Sequence, residues 1–228
     1  HARAVFHKDA VAMGDYGPNC HGTDHEGPTI GGRHTGEFYQ RAAPYQIPYG
    51  TILPKNIDNL AVPVACSSSH VGFCALRLEP IWMSLGQAAG EAIGLALKSD
   101  APLPEIKPAA IRARLHGTGV ATIYTSDVPE ESDYFVAVQW WGSLGGFIAL
   151  DRTTDDEPAP YGKWGKHRIG QYFEAFPEHA VGLDEPLDER VRSAWKAIAR
   201  SIGADLQVLA ELRTRGEFIR TAWRQTRE

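Results

Sequence analysis

From residue 81 to residue 97 almost every position is apolar or small, and Glu91 carries the only charge. A helix without a polar face is predicted to be a buried one. Pro80 suits the first helical position, where its missing N–H would have no partner in any case. Gly86, Gly90 and Gly94 stand four residues apart and share one face. Three such glycines cost roughly 3 kcal/mol against alanine. That cost predicts a close neighbour on the bare face, either another helix or a nucleotide-binding strand–turn–helix unit.

The remaining pattern is read outward from that helix. Residues 2–12 alternate briefly and predict a strand or edge segment. Residues 13–35 are rich in Gly, Pro, Asn and Asp and predict a loop. Pro44 and Pro48 interrupt an aromatic stretch at 36–49, which predicts extended chain. Residues 59–64 form a short apolar run, expected as a buried strand that ends at Pro63. After a Pro-rich link at 101–104, short helices are expected at 108–115 and 135–142. Residues 151–165 read as an exposed connection. Val191, Trp195, Ile198 and Ile202 recur at helical spacing, and a further helix is expected over 206–226. Three regions follow: 1–98, a small helical segment at 99–150, and a linker with a helical tail at 151–228.

Composition narrows the function class. The 228 residues are 43% hydrophobic and 22% charged, with 23 basic and 28 acidic side chains. That describes an ordinary soluble protein with a sizeable core. A net charge of −5 without a basic run argues against nucleic-acid binding. No apolar run reaches membrane-span length, and the first residues do not read as a secretory signal. Cys20, Cys66 and Cys74 are an odd number and lack CxxC spacing, so neither a disulfide framework nor a zinc motif is expected.

Candidate chemistry concentrates before the buried helix. Asp15, Cys20, His21, Asp24, His25, Glu26 and His34 gather within the first loop, but their spacing matches no standard zinc arrangement. Ser67, Ser68 and Ser69 precede His70 without the G-x-S-x-G elbow a serine hydrolase of that kind needs. Cys66 and Cys74 read as small buried residues. Arg77 and Glu79 lie at the helix start, where free N–H groups and the dipole favour negative charge. Such an end could stabilise an anion, while an Arg77–Glu79 ion pair could equally tie two loops together.

Several segments carry a family resemblance. They are Pro44-Tyr45-Gln46-Ile47-Pro48-Tyr49, Leu53-Pro54-Lys55, Asp58-Asn59-Leu60, Ser69-His70-Val71, Arg77-Leu78-Glu79-Pro80 and Leu85-Gly86-Gln87-Ala88-Ala89-Gly90. In this order they resemble the C-terminal part of FAD-dependent oxidoreductases, in the group called xanthan-lyase-like. The likeness is dense from Met13 to Leu97 and fades beyond residue 100. It implies an α/β fold: the C-terminal portion of a Rossmann-type FAD-binding domain, followed by a small helical module. The G-x-G-x-x-G turn of such domains occurs nowhere in the sequence. The expected partner is therefore an N-terminal FAD-binding half, without which this chain is expected to be inactive.

The resemblance further implies FAD as cofactor and hydride exchange between flavin and a small hydroxyl or sugar substrate. It makes His21 and His70 the catalytic candidates, and implies no metal. It assigns cofactor contacts to Ala65, Cys66, Ser67, Arg77, Leu78, Glu79, Ile81, Gly86 and Gln87. Ala65 and Cys66 stand where relatives place a Gly-Asp pair, so Ser67 or backbone N–H groups would have to substitute. The alternative from another class is a non-enzymatic interaction module that docks a partner through helices.

Overall fold

A computed structural model describes residues 5–21, 38–40, 42–150 and 179–227. Strand β1 (Ala10–Gly14) pairs antiparallel with β4 (Tyr45–Pro48), placing Ala12 opposite Ile47 and Gly14 opposite Tyr45. Two short strands, β2 (Asn19–Cys20) and β3 (Phe38–Tyr39), form a second antiparallel pair. Ala10, Val11 and Ala12 are all fully buried, so β1 is covered on both faces and shows no alternation. Its outer edge meets Arg112, whose Nη1 donates to the carbonyls of Lys8 at 2.8 Å and Ala10 at 3.0 Å. A guanidinium thus takes the place of a neighbouring strand.

Helix α1 (His70–Leu76) is capped by Ser69, whose hydroxyl accepts from the Gly72 N–H at 3.1 Å. That accounts for the last member of the serine run. Helix α2 (Glu79–Ser99) starts one residue earlier than expected, with Pro80 at its second position. Its C-terminal end is closed by Asp100 in the left-handed conformation.

Burial corrects the expectation for α2. Ile81, Leu85, Ala88, Ala89 and Ala92 form one buried stripe, spaced by three and four residues. On the opposite side Met83 is 74% exposed and Leu97 81%. A Cβ on Gly86, Gly90 or Gly94 would meet nothing within 4 Å. The helix is apolar all round yet packed on one side, and among the described residues nothing approaches its glycines.

Residues 59–64 also depart from expectation. They form no strand, because Pro63 cannot donate to a ladder. Instead Val62 N–H bonds to the Ile52 carbonyl at 2.8 Å and Ser67 N–H to the Thr51 carbonyl at 2.7 Å. The chain is pinned there as an irregular segment.

Helix α3 (Pro108–Gly117) packs on α2 and contributes Ile111 and Leu115 to the first core, which runs from Val11 to Leu115. A second core extends from Ile123 to Ala222. It contains α4 (Phe135–Ser143), α5 (Glu189–Ser201), α6 (Leu206–Ala210) and α7 (Arg215–Gln225). Trp141, Trp195 and Phe218 stack in it with centroids 5.4–5.6 Å apart. The single helix expected over 206–226 is two helices, because Thr214 and Glu217 form a capping box that starts α7 anew. Residues 22–37 and 151–178 lie outside the described residues, and with them Asp24, His25, Glu26, His34 and the expected exposed connection.

Between the cores, buried Gln139 of α4 clamps the connecting strand-like segment. Its Oε1 accepts from the N–H groups of Thr122 and Ile123 at 2.9 and 3.1 Å, and its Nε2 donates to the Ile123 carbonyl at 2.8 Å. All of the amide's bonds serve two adjacent residues, which fixes how the segment leaves the first core.

Candidate functional site

The start of α2 borders a cleft of about 530 Å³, within the usual range for ligand sites. Met13, Gly14 and Asp15 line it from the end of β1, Pro80 and Ile81 from α2, and Gln139 from α4. Gly14 is required by close approach: a Cβ there would sit 2.9 Å from Ile81 Cδ1 and from the Tyr45 ring. Burial raises the Asp15 carboxyl above its usual range, partly offset by a backbone hydrogen bond. Burial likewise raises the Tyr45 phenol, and the charge of Asp15 adds to it. Tyr45 stays protonated, with its Oη 3.2 Å from the Tyr16 carbonyl and 3.3 Å from that of Ala75. One proton shared by two acceptors ties the loop after β1 to α1.

No side chain among the described residues caps α2. Leu78 is its N-cap, and the carbonyl of Leu78 accepts from Ile81 at 3.0 Å and Trp82 at 3.1 Å. Pro80 has no N–H to offer. Pro80 and Ile81 therefore bring the positive end of a 21-residue helix dipole to the cleft without a free N–H of their own.

Of the residues singled out in the sequence, Ile81 lines the cleft. Ala65, Ser67, Glu79 and Gln87 are exposed beside it in sequence, on the segment before α1 and on the first turns of α2. Leu78 and Gly86 are partly buried, and Cys66 is buried in the first core. Burial pushes the Cys66 thiol up, against a backbone hydrogen bond that lowers it. Arg77 does not pair with Glu79. Its Nη2 donates to the Asn19 carbonyl at 3.2 Å and joins β2 to the end of α1. His21 follows β2 directly and is exposed, as is His70 at the head of α1. Tyr124, Thr125, Glu130 and Glu131 complete the cleft without any spacing in the sequence to announce them.

A second grouping was not anticipated. The ligand-type atoms of Cys20, His70 and Cys74 lie within 4.8 Å of one another. Burial raises the Cys74 thiol, neighbouring Cys20 adds to this, and the charge of Arg77 opposes it. The one local signal was His70-x-x-x-Cys74, which puts both side chains on one face of a helix. Cys20 arrives from fifty residues earlier, where spacing cannot reveal it.

The described residues form a mixed α/β protein with two cores and a ligand-sized cleft at the start of α2. The family model described as FAD dependent oxidoreductase matches residues 2–115, half of the chain, and the chain belongs to that family. Its cofactor is FAD. The match ends at Leu115, the last residue of the first core, so the flavin-dependent oxidoreductase region and that core coincide. No curated protein and no solved structure matches the chain. No helix among the described residues is long and apolar enough to cross a membrane.

Proposed function

We propose that the chain forms the flavin-ring end of an FAD-dependent oxidoreductase that exchanges a hydride with a small hydroxyl or sugar substrate. The observation that carries this reading is the uncapped N-terminus of α2 opening on the cleft beside Asp15 and Ile81. Bound FAD supplies the hydride acceptor at its ring. Around it, this chain's residues have three tasks. The α2 end stabilises negative charge on the reduced ring, with no side chain needing to titrate. Ala65, Ser67, Leu78, Glu79, Gly86 and Gln87 lie outside the cleft lining and would carry cofactor contacts along the segment before α1 and the first turns of α2, with Cys66 in the core and Arg77 holding β2 in place. His21, exposed and following β2, moves the hydroxyl proton, with His70 as the second polar group on that side.

The pyrophosphate end needs a phosphate-cradling turn, and the sequence has no G-x-G-x-x-G. A dinucleotide-binding half packed on the open glycine face of α2 would supply it. The exposure of Met83, Ile93 and Leu97 along that face supports such a neighbour.

Anaerobic stopped-flow reduction tests the reading. The FAD-loaded assembly of this chain with a dinucleotide-binding half is mixed with a panel of hydroxyl compounds and sugars, and bleaching of the flavin is followed. One class of these should reduce the flavin, and His21→Ala should slow the step about 10²- to 10⁴-fold without loss of FAD. Failure of every hydroxyl compound would reject the substrate class. An unchanged rate in the variant would remove His21 from the proton path.

A further inference from the structure

The geometry points to a metal site on this chain, formed by Cys20, His70 and Cys74 and fit for a zinc-type divalent ion with one coordination position left for water. This inference draws on atoms outside the α2 cleft but shares His70 with the flavin reading: as a metal ligand His70 leaves the proton path to His21. The three ligand atoms already lie within 4.8 Å of one another. In a tetrahedral centre, bond lengths of about 2.3 Å to sulfur and 2.0–2.1 Å to nitrogen place neighbouring ligand atoms roughly 3.6–3.8 Å apart. Closure therefore needs a movement of about 1 Å, within reach of side-chain rotation.

The scaffold holds the three in place. His70 and Cys74 are one turn apart on α1, and the Ser69 cap fixes that turn. Cys20 ends β2, which is braced against α1 by the Arg77 bond to the Asn19 carbonyl. The ligand set also favours a metal over a simple cysteine pair. A disulfide would use two of the three groups and leave the imidazole without a part. Two thiolates and a neutral imidazole match the charge and softness of a divalent zinc-type ion. Cys74 is buried, Cys20 half-buried and His70 exposed, so the centre would open to solvent on the histidine side. Three protein ligands with an open fourth position are the arrangement of a reactive rather than a closed structural zinc.

The test uses the whole 228-residue chain, reduced and freed of metal, titrated with cobalt(II) alone. Expected is one cobalt per chain, with thiolate charge-transfer absorption, the strong visible bands of tetrahedral cobalt, and bleaching on addition of zinc. Cys20→Ser and His70→Gln, each shown by circular dichroism to be folded, should weaken binding by about 100-fold or more, since even second-neighbour losses reach roughly 10- to 100-fold. Cys66→Ala, which leaves the three ligands in place, should bind as the parent does. Absence of the cobalt spectrum in the reduced chain would overturn the inference. So would a spectrum that survives both ligand substitutions.

Discussion

His116 couples a single buried side chain to the stability of the first core. It sits at the end of α3, 98% hidden from solvent, with its Nε2 2.9 Å from Thr122 Oγ1. Burial, reinforced by the charge of Arg112, lowers its pKa from 6.5 to about 3. The unfolded chain takes up this proton near the ordinary value, while the folded protein refuses it until far lower pH. Between those two values the unfolded state binds more protons, so stability is full above about pH 6.5 and falls on acidification. The limiting slope is about 1.4 kcal/mol per pH unit. Melting temperatures between pH 7 and pH 5 should fall in the parent, and His116→Gln should flatten that dependence. An equal slope in the variant would assign the acid sensitivity to other groups. Nothing in the spacing marks this residue, since a histidine at the end of a short helix reads as solvated until a neighbouring segment covers it.

At the scale of elements, α2 decides most. Its glycine spacing was legible, but the close neighbour expected on that face is not found among the described residues: none lies within 4 Å of a Cβ at Gly86, Gly90 or Gly94. Gly90→Leu should therefore leave the melting temperature of this chain unchanged or raise it, replacing a poor helix former by a good one worth up to about 1 kcal/mol. The same change should block assembly with a dinucleotide-binding half, since it fills the face such a half would approach. A large drop in the melting temperature of the chain alone would show that the face is already packed. Helices α3, α4 and α5 were readable from apolar spacing within two residues of their ends. The break between α6 and α7 was not, because apolar residues continue in phase across it. The Thr214–Glu217 box, the bridge of Thr214 to Pro186, and Arg192 donating to the Ala210 and Leu212 carbonyls separate them. The expected buried strand at 59–64 failed on both counts: Pro63 cannot donate to a ladder, and none of the run is buried, with Leu60 44% and Val64 49% exposed.

For the whole molecule, family membership and cofactor were carried by an ordered run of short segments, while the cleft was assembled by tertiary packing. Ile81 and Gly14 are distant in sequence and touch only because β1 ends over the start of α2. Tyr124 and Glu130 come from beyond the family match. The missing phosphate turn yields a direct expectation: the 228-residue chain purified alone should not retain FAD. Stoichiometric FAD in that preparation, read from its absorption spectrum, would show that another segment cradles the pyrophosphate. The central claim is that the reduced flavin ring lies against the N-terminus of α2, and the flavin midpoint potential tests it most directly. In the FAD-loaded assembly of this chain with its dinucleotide-binding half, parent and Glu79→Gln are compared. Glu79 is an exposed carboxylate in the first turn of α2, and removing its charge favours the anionic reduced ring. The potential should rise by about 10–30 mV, on the scale of about 30 mV per 1.4 kcal/mol for a two-electron couple. A potential that does not move, with FAD still bound, would place the ring elsewhere and contradict the account.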